Sequence, residues 1–254
     1  MDIKECAAVV TGAASGMGAA TARFLAARGA KVALLDMNLD GADVVAKEIG
    51  GLAVQCDVSD AGSAEAALDK AREAHGSSRI CVQCAGIAPG AAIVGRDGVM
   101  PLERFKQVID VNLIGTFNIM RLCAADMSRL SEVNETGERG VIINTASVAA
   151  FEGQVGQCAY SASKGGVVSM MLPAARELSR YGVRVVTIAP GLMETPMLAG
   201  MPQQLQESLA AQVPFPRRFG KPQEFASLVG HIVDNAMING EVIRLDGAIR
   251  MQAR

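Results

Sequence analysis

The chain lacks tryptophan entirely, has only two tyrosines and seven phenylalanines, and carries a formal net charge of just −2. Proteins that bind nucleic acid usually present a basic field or aromatic side chains for stacking, so this composition argues against nucleic acid as a partner. The only histidines, His75 and His231, fit no metal-ligand or hydrolase spacing and are predicted to lie on surface or helix faces. No unbroken apolar run approaches the ~18 residues of a membrane span, so we expect no membrane segment.

The N-terminus and the cysteines give little sign of secretion. Met1–Glu5 lead into the first apolar run without a signal or transit pattern, so we expect a cytoplasmic protein, or a mitochondrial matrix protein if the chain is eukaryotic. The cysteines are scattered through apolar segments, which predicts buried, reduced thiols. Cys81 and Cys84 lie three apart on a predicted strand and should point to opposite faces, which argues against a metal site. The six cysteines are Cys6, Cys56, Cys81, Cys84, Cys123 and Cys158.

Short apolar runs alternate with helical patterns along the whole chain. With 254 residues, half of them hydrophobic, the sequence fits one domain spanning residues 1–254. Alternating strands and helices predict an α/β fold, a seven-stranded doubly wound parallel sheet with helices on both faces. The predicted strands are Ala7–Thr11, Lys31–Leu35, Leu52–Cys56, Ile80–Cys84, Val141–Thr145, Val183–Ile188 and Val242–Leu245.

Two regions interrupt this alternation. Ser128–Arg139 is polar and is predicted to be a surface loop before a strand. Leu192–Pro222 contains five prolines and a helical pattern at Pro202–Gln212, and it is too long for a simple connection. We therefore expect residues 192–222 to form a lid or part of a substrate pocket.

Tyr160 and Lys164 are four residues apart in a stretch that is predicted to be helical, so their side chains share one face. A phenol loses its proton near pH 10, and a nearby cation is the direct way to lower that pKa. We therefore expect Lys164 to lower the pKa of Tyr160 and to make the phenol an acid-base group at neutral pH.

A glycine-rich loop, Thr11–Gly18, follows the first predicted strand and begins a helix. Glycines at such a turn allow backbone amides and the helix N-terminus to approach a pyrophosphate. Such turns also serve simply to pack a helix on a sheet, but the position after the first strand favours a dinucleotide site. The candidate cofactor residues in this loop are Gly12, Ser15, Gly16, Met17 and Gly18.

Asp36 ends the second predicted strand, where a carboxylate can accept hydrogen bonds from the adenosine ribose. A 2′-phosphate would meet its negative charge, and neither the glycine loop nor Met37 and Asn38 supplies a cation. NAD is therefore favoured over NADP. An alternative role, compatible with the first, is that Asp36 caps the helix that begins near Leu39.

These motifs together resemble the short-chain dehydrogenase/reductase family over nearly the whole chain. The resemblance rests on the glycine loop, Asp57-Val58, Cys84-Ala85-Gly86, Asn112, Ser147, Tyr160-x-x-x-Lys164, and Pro190-Gly191 followed by Thr195. It implies that Asp57 and Val58 hold the adenine, that Cys84, Ala85 and Gly86 lie beside the cofactor, and that Pro190, Gly191, Met193 and Thr195 flank the nicotinamide. Most members have Asn-Asn-Ala-Gly where this chain has Gln83-Cys84-Ala85-Gly86, which should alter how the fourth strand is tied to its neighbours.

The resemblance also implies a mechanism. Tyr160 would exchange a proton with the substrate hydroxyl while hydride passes to the nicotinamide, and Ser147 would donate a hydrogen bond to the same oxygen. Lys164 would lower the phenol pKa and hold the nicotinamide ribose, and Asn112 would hold a water that links Lys164 to solvent. Taken singly, Ser147 could cap a turn, Asn112 could satisfy a helix bend and Tyr160 could simply pack.

The substrate is less defined by the sequence. Apolar residues after Pro190 suit an acyl chain or a sterol but also fit a helix packed on the core. Arg217, Arg218 and Lys221 could meet CoA phosphates or be a solvated face. Ile142–Gly166 and Asn239–Gln252 resemble a branch that acts on 3-hydroxyacyl-CoA, including 2-methyl-branched forms. The apolar residues are Leu192, Met193, Met197, Leu198, Met201, Leu205 and Leu209.

Other functions remain open at this level. The alternatives are a 3-oxoacyl-carrier-protein reductase, a hydroxysteroid dehydrogenase and a scaffold or binding subunit without catalysis as its main role. Asp36 weighs against the first, since that reduction normally uses NADPH. The resemblance further implies a homotetramer.

Overall fold

A seven-stranded parallel sheet forms the centre of the chain. The computed structural model describes residues 1–96, 98–195 and 203–253. The order of the parallel strands is β3-β2-β1-β4-β7-β8-β9, which confirms the predicted fold class. The strands, with the short antiparallel hairpin β5–β6 included, are β1 (Ala7–Thr11), β2 (Lys31–Asp36), β3 (Leu52–Gln55), β4 (Ile80–Gln83), β5 (Val94–Gly95), β6 (Gly98–Val99), β7 (Gly140–Thr145), β8 (Val183–Pro190) and β9 (Val242–Leu245).

Helices cover both faces of the sheet because successive strand residues point to opposite sides. Val10 on β1 packs with α1, α2 and α8, whereas Val9 packs with α3, α5 and α6. The helices are α1 (Gly16–Ala27), α2 (Leu39–Ile49), α3 (Ala61–His75), α4 (Leu102–Ile109), α5 (Gly115–Met127), α6 (Cys158–Leu178), α7 (Gln203–Ala210) and α8 (Pro222–Asp234).

The strand order reverses at β1, which pairs with β2 on one side and β4 on the other. In an open α/β sheet, a crevice forms at the carboxyl ends of the strands beside such a reversal. Gly12 follows β1, Asp36 ends β2 and Cys84 follows β4. The fold thus gathers these three positions at one edge of the sheet.

Helices α4 and α5 are joined by a π-helical turn, Asp110–Ile114, and form one continuous helical stretch. Contrary to expectation, this stretch, Leu102–Met127, is 26 residues long and, by length and composition alone, apolar enough to cross a membrane. Its buried residues Ile119 and Met127 pack against the sheet. Packing in the protein core therefore accounts for the apolar residues on this face of the stretch.

The irregular regions largely match expectation. Residues 128–139 contain neither helix nor strand, and α7 lies within the predicted Pro202–Gln212 pattern. Residues 196–202 lie outside the described part of the chain, so the predicted lid is only partly visible. The hairpin β5–β6 was not predicted, because two-residue strands carry too short a pattern to be recognised.

The cysteines are free, as predicted, but only Cys56, Cys81 and Cys123 are buried; Cys6 and Cys84 are half-buried and Cys158 is exposed. Cys81 packs on the α5 face of the sheet and Cys84 on the opposite face, which confirms that the two thiols diverge. Among the described residues there is no group of three or more potential metal ligands.

Candidate active site

The glycine loop after β1 lets main-chain atoms approach closely. Gly12 has a positive φ of 64°, and a Cβ there would lie 2.6 Å from the Ala85 amide nitrogen. A Cβ on Gly18, in the first turn of α1, would overlap the carbonyl oxygen of Gly12. Ser15 is the extended residue before α1, and within the described structure its side chain does not cap the helix. Ser15 therefore leaves the first amides of α1 available to another acceptor.

Asp36 connects this loop to the end of β2. Its Oδ2 atom accepts a 2.9 Å hydrogen bond from the Ala14 amide, and its Oδ1 atom accepts one of 2.9 Å from the Asn38 amide. The residue that caps α2 is Asn38, whose side chain accepts a hydrogen bond from Gly41. The alternative role of Asp36 as the helix cap is therefore wrong, and its carboxylate instead lies against the glycine loop.

Asp57 and Val58 follow β3 at the same edge of the sheet. Asp57 Oδ1 accepts hydrogen bonds from the amide and the hydroxyl of Ser59, at 2.9 and 2.6 Å. Val58 is buried, and its carbonyl accepts a 2.9 Å hydrogen bond from Asn118 Nδ2. The main chain at these two positions is thus fixed by α5 and by its own turn.

The segment after β4 is tied to β1. The Cys84 amide donates to the Thr11 carbonyl at 3.1 Å, and the Ala85 amide donates to the Thr11 hydroxyl at 3.2 Å. Gln83, which departs from the asparagine expected there, donates a buried 2.9 Å hydrogen bond to Asn144 Oδ1 on β7. Burial raises the pKa of the Cys84 thiol to about 12, which makes it unreactive at neutral pH.

Helix α6 carries both Tyr160 and Lys164, and the Lys164 Nζ atom lies 5.9 Å from the centre of the Tyr160 ring. The ammonium is buried and donates a 2.8 Å hydrogen bond to the Thr145 carbonyl at the end of β7. The Ser147 hydroxyl interacts with the Tyr160 phenol and accepts a 3.1 Å hydrogen bond from the Ala149 amide. The structure therefore brings the three predicted polar side chains together.

Burial dominates the pKa values at this place. It raises the pKa of the Tyr160 phenol, although the hydrogen bond with Ser147 acts in the opposite direction. It also lowers the pKa of Lys164 from 10.5 to about 8, opposed by the Cys84 thiol. The expectation that Lys164 lowers the phenol pKa is therefore wrong. Its ammonium is itself desolvated, and its hydrogen bond goes to Thr145 rather than to the phenol.

Asn112 lies in the π turn and is completely buried. Its Nδ2 atom donates to the Ile87 carbonyl at 2.8 Å and to the Ser163 hydroxyl at 3.1 Å, while Oδ1 accepts from the Ile87 amide at 2.8 Å. A Cβ on Gly86 would lie 3.1 Å from Asn112 Oδ1 and 3.5 Å from Lys164 Nζ. The Asn112 side chain thus braces the segment after β4 against α6, beside the buried ammonium.

The family model for short chain dehydrogenases matches residues 6–206. The chain belongs to the short-chain dehydrogenase family. It is therefore an oxidoreductase of the kind that uses a nicotinamide cofactor. The geometry at Ser147, Tyr160 and Lys164 is consistent with that chemistry.

Individual members of the short-chain dehydrogenase family match almost the whole chain. A Bos taurus protein named 3-hydroxyacyl-CoA dehydrogenase type-2 is 52% identical over 254 residues, covering 98% of this chain and 97% of that protein. The Homo sapiens protein of the same name is 51% identical with the same coverage. A crystal structure of 3-hydroxyacyl-CoA dehydrogenase type-2 from Mycobacterium avium has a TM-score of 0.92 at 40% identity, covering 98% of this chain and 97% of that one.

The region after β8 only partly matches the expected pocket of a short-chain dehydrogenase. Pro190 ends β8, the Gly191 amide donates to the Leu245 carbonyl at 3.0 Å, and Thr195 is half-buried. The side chain of Met193 lies in the core, where a Cβ on Gly220 would meet its sulfur at 2.5 Å. The prediction that the Met193 side chain belongs to the apolar residues lining a substrate pocket is therefore wrong.

The other proposed substrate residues are also dispersed. Leu192 packs beside Val148 and Ile249. Met197, Leu198, Met201 and the side chain of Leu205 lie outside the described residues, and Leu209 is half-buried on α7. Arg218, a proposed phosphate contact, instead donates two hydrogen bonds of 2.9 and 2.8 Å to Glu224, which leaves exposed Arg217 and Lys221 as candidates.

Sequence reasoning missed two groups that support this short-chain dehydrogenase site. The Thr145 carbonyl holds Lys164, but a backbone acceptor leaves no trace in side-chain chemistry. Arg244 on β9 forms a bidentate ion pair with Glu152, between Ser147 and Tyr160. The two residues are far apart in the sequence, and they meet because β9 lies next to that segment in the fold.

Proposed function

We propose that this short-chain dehydrogenase uses NAD to oxidise 3-hydroxyacyl-CoA, including 2-methyl-branched forms, to 3-oxoacyl-CoA, and catalyses the reverse reduction. The observation that supports NAD is the Asp36 carboxylate, held by the Ala14 and Asn38 amides at the end of β2. A ribose hydroxyl can donate to this carboxylate, whereas a 2′-phosphate would be repelled. The substrate class is supported by relatives of that name at 52% identity across nearly the whole chain.

The residues around the glycine loop fit a dinucleotide. Gly12, Gly18 and Gly86 are packed so tightly that a Cβ added at any of them would contact backbone or polar atoms. Asp36, Asp57 and the amides of α1 would hold the adenosine and the pyrophosphate. A bound cofactor would supply the hydride acceptor for oxidation of the carbinol carbon and the hydride donor for the reverse reduction.

The polar side chains of α6 and of the segment that follows β7 would transfer the proton. In reduction Tyr160 would give its proton to the ketone oxygen. In oxidation the phenol would first release its proton toward Lys164 and solvent, and the phenolate would then take the proton of the alcohol. In both directions Ser147 would donate a hydrogen bond to the substrate oxygen. The raised pKa of Tyr160 keeps the phenol protonated at neutral pH, the form that reduction requires. Lys164 would hold the ribose of the cofactor. Asn112 would fix the residues around Lys164 and hold a water that carries the proton to solvent.

The decisive variant is Tyr160→Phe, which keeps the ring and removes the transferable proton. We expect it to bind NADH like the parent chain and to lose at least about a thousand-fold in kcat with acetoacetyl-CoA. Tyr181→Phe is the matched control, because Tyr181 is the only other tyrosine and lies after α6 near Arg180. Retained turnover in Tyr160→Phe would contradict the assignment.

Cofactor and substrate panels separate the competing functions. NADH should be preferred to NADPH, and Asp36→Ala should reduce that preference by removing the repulsion. A preference for NADPH would favour a 3-oxoacyl-carrier-protein reductase, and steroid turnover far above acyl-CoA turnover would favour a hydroxysteroid dehydrogenase. Absence of turnover with every substrate would favour the scaffold role.

We further propose that the chain forms a homotetramer. Exposed apolar side chains on the α4–α5 stretch, at Leu102, Ile114 and Phe117, support association through helix faces. Light scattering of the purified protein measures this directly, and a monomeric mass would contradict it.

A further inference from the structure

The segment that connects Ser147 to Tyr160 contains one short 3₁₀ turn, Val148–Ala150, and is otherwise irregular until α6. The two candidate catalytic residues adjoin this segment, Ser147 at its start and Tyr160 in the first turn of α6. We propose that Arg244, on the edge strand β9, is a positioning residue that holds this segment through Glu152. The proposal rests on the proposed catalytic roles of Ser147 and Tyr160.

The Arg244 guanidinium makes an unusually complete set of contacts. Its Nη1 and Nη2 atoms donate to the two carboxylate oxygens of Glu152 at 2.7 and 2.8 Å. Its Nε atom donates to Asp246 at 2.7 Å, and Nη2 also donates to the Ile249 carbonyl at 3.0 Å. The guanidinium carbon lies 5.2 Å from the centre of the Phe151 ring. Arg244 therefore contacts two consecutive residues of the connecting segment.

This ion-pair cluster differs from an ordinary surface pair. The Arg244, Glu152 and Asp246 side chains are only 21%, 24% and 8% exposed, so water screens their charges less than it does at a free surface. The hydrogen bond from Arg244 holds the pKa of Glu152 below its usual value. Because an arginine fork matches a carboxylate in direction as well as charge, this contact fixes orientation.

The chain after β9 extends the same connection. The Val155 amide donates to the Ala253 carbonyl at 3.0 Å, and the Gln154 side chain donates to the Gln252 carbonyl at 3.1 Å. A Cβ on Gly191 would lie 2.9 Å from the Cα of Asp246. The C-terminal residues thus contact both the connecting segment and the end of β8, and Arg244 lies where these contacts converge.

The test compares Arg244→Lys with Arg28→Lys. Arg28 is a matched control, since its guanidinium also donates two hydrogen bonds to one carboxylate, that of Asp234, and lies 6.0 Å from the Phe24 ring. We expect Arg244→Lys to lower kcat for acetoacetyl-CoA by about ten-fold, with the KM for NADH changed less than about two-fold, because misplaced catalytic groups slow the chemical step. Arg28→Lys should leave both constants near those of the parent chain.

Hydrogen exchange read by mass spectrometry gives an answer that needs no substrate. Peptides covering residues 148–158 should exchange faster in Arg244→Lys than in the parent chain. In Arg28→Lys their exchange rates should equal those of the parent chain. If Arg244→Lys does not fold, Glu152→Gln removes the same ion pair from the other side. An unchanged kcat together with unchanged exchange would overturn the proposal. A parent chain that does not turn over acetoacetyl-CoA would instead contradict the proposed function, and the exchange result would still decide the role of Arg244.

Discussion

The buried ammonium of Lys164 is the most costly single charge at the candidate site. Its hydrogen bond goes to the Thr145 carbonyl, and no carboxylate in the described part of the chain forms an ion pair with it. Desolvation without a countercharge lowers its pKa to about 8. The buried charge therefore reduces stability, and the role proposed for Lys164 in binding the cofactor gives a reason for keeping it, as is common at active sites.

Replacing Lys164 with methionine should stabilise the protein in the absence of cofactor and remove turnover. The gain at pH 7 should be on the order of 1 kcal/mol, since a desolvated charge is removed but the Thr145 carbonyl loses its donor. Denaturant unfolding of both proteins, followed by far-UV circular dichroism, measures the difference.

The pH dependence of this difference follows from the lowered pKa. Above about pH 8 the folded chain releases the Lys164 proton while the unfolded chain keeps it until about 10.5, so the stability of the parent chain rises over that interval. The advantage of Lys164→Met should therefore shrink as the pH is raised from 7 to about 9.5. A constant advantage would contradict the titration of Lys164.

Residue positions at the site were easier to predict than their electrostatics. The four-residue spacing of Tyr160 and Lys164 on one helix was predicted correctly, because helical geometry is local. The direction in which the pKa of the Tyr160 phenol shifts was not predicted correctly, since it depends on burial by the rest of the fold. The Met193 side chain was misplaced for the same reason, because its direction into the core depends on Gly220.

At the scale of elements, the junction of β1 and α1 depends on close main-chain contact. Gly18→Ala should weaken NADH binding by at least about ten-fold, because its Cβ would overlap the Gly12 carbonyl and displace the amides that face the pyrophosphate. Nicotinamide fluorescence measures the affinity, and the absence of tryptophan simplifies the reading.

Gly62→Ala is the control for this effect. Gly62 is also in the first turn of a helix, α3, and its Cβ would meet only Asp60 Oδ1, at an ordinary contact distance of 3.5 Å. We expect unchanged NADH affinity in this variant. Equal affinities for the two alanine variants and the parent chain would show that the glycine loop does not bind the dinucleotide.

Elements with strong periodicity were predicted well. All seven sheet strands lie within about two residues of their predicted ends, because buried parallel strands form continuous apolar runs. The π turn at Asp110–Ile114 was not predicted, since a single extra residue in a helix hardly alters the hydrophobic pattern.

At the scale of the whole molecule, a buried ion pair joins distant parts of the chain. Arg184 on β8 donates to Glu138 Oε1 at 2.9 Å and to the carbonyls of Ile232 and Ile238 at 2.8 Å each. The two charged side chains are 7% and 3% exposed. This pair was invisible in the sequence, because Glu138 belongs to a stretch that was predicted to be a surface loop.

Removing one charge of this pair should strongly destabilise the fold. Glu138→Gln should lower the free energy of unfolding by about 3 kcal/mol at pH 7, since the guanidinium stays buried without its countercharge. Glu48→Gln, in the exposed pair with Arg23, should lower the free energy of unfolding far less, because water screens that pair. Urea unfolding compares the two.

In the parent chain, lowering the pH should also remove the charge of Glu138 and destabilise the fold. Burial raises the pKa of Glu138, but hydrogen bonds from Arg184 and Asn134, together with the positive charges of Arg184 and the N-terminus, hold the pKa below 4.5. This contribution is therefore complete above the unfolded pKa and is lost as the pH falls through the lower folded value. Glu138→Gln should lose less stability than the parent chain on acidification, and an equal loss would contradict this assignment.

The π turn at Asp110–Ile114 has a consequence for insertions and deletions. One residue of an α-helix corresponds to a rotation of about 100° and a rise of about 1.5 Å. Deleting one residue from this turn would permit a regular helix, but it would rotate α4 relative to α5 by that angle. Asn112 would then turn away from Ile87 and Ser163. The extra residue acts as an angular spacer, so a one-residue deletion here should be tolerated far less than one in the polar loop at residues 128–139.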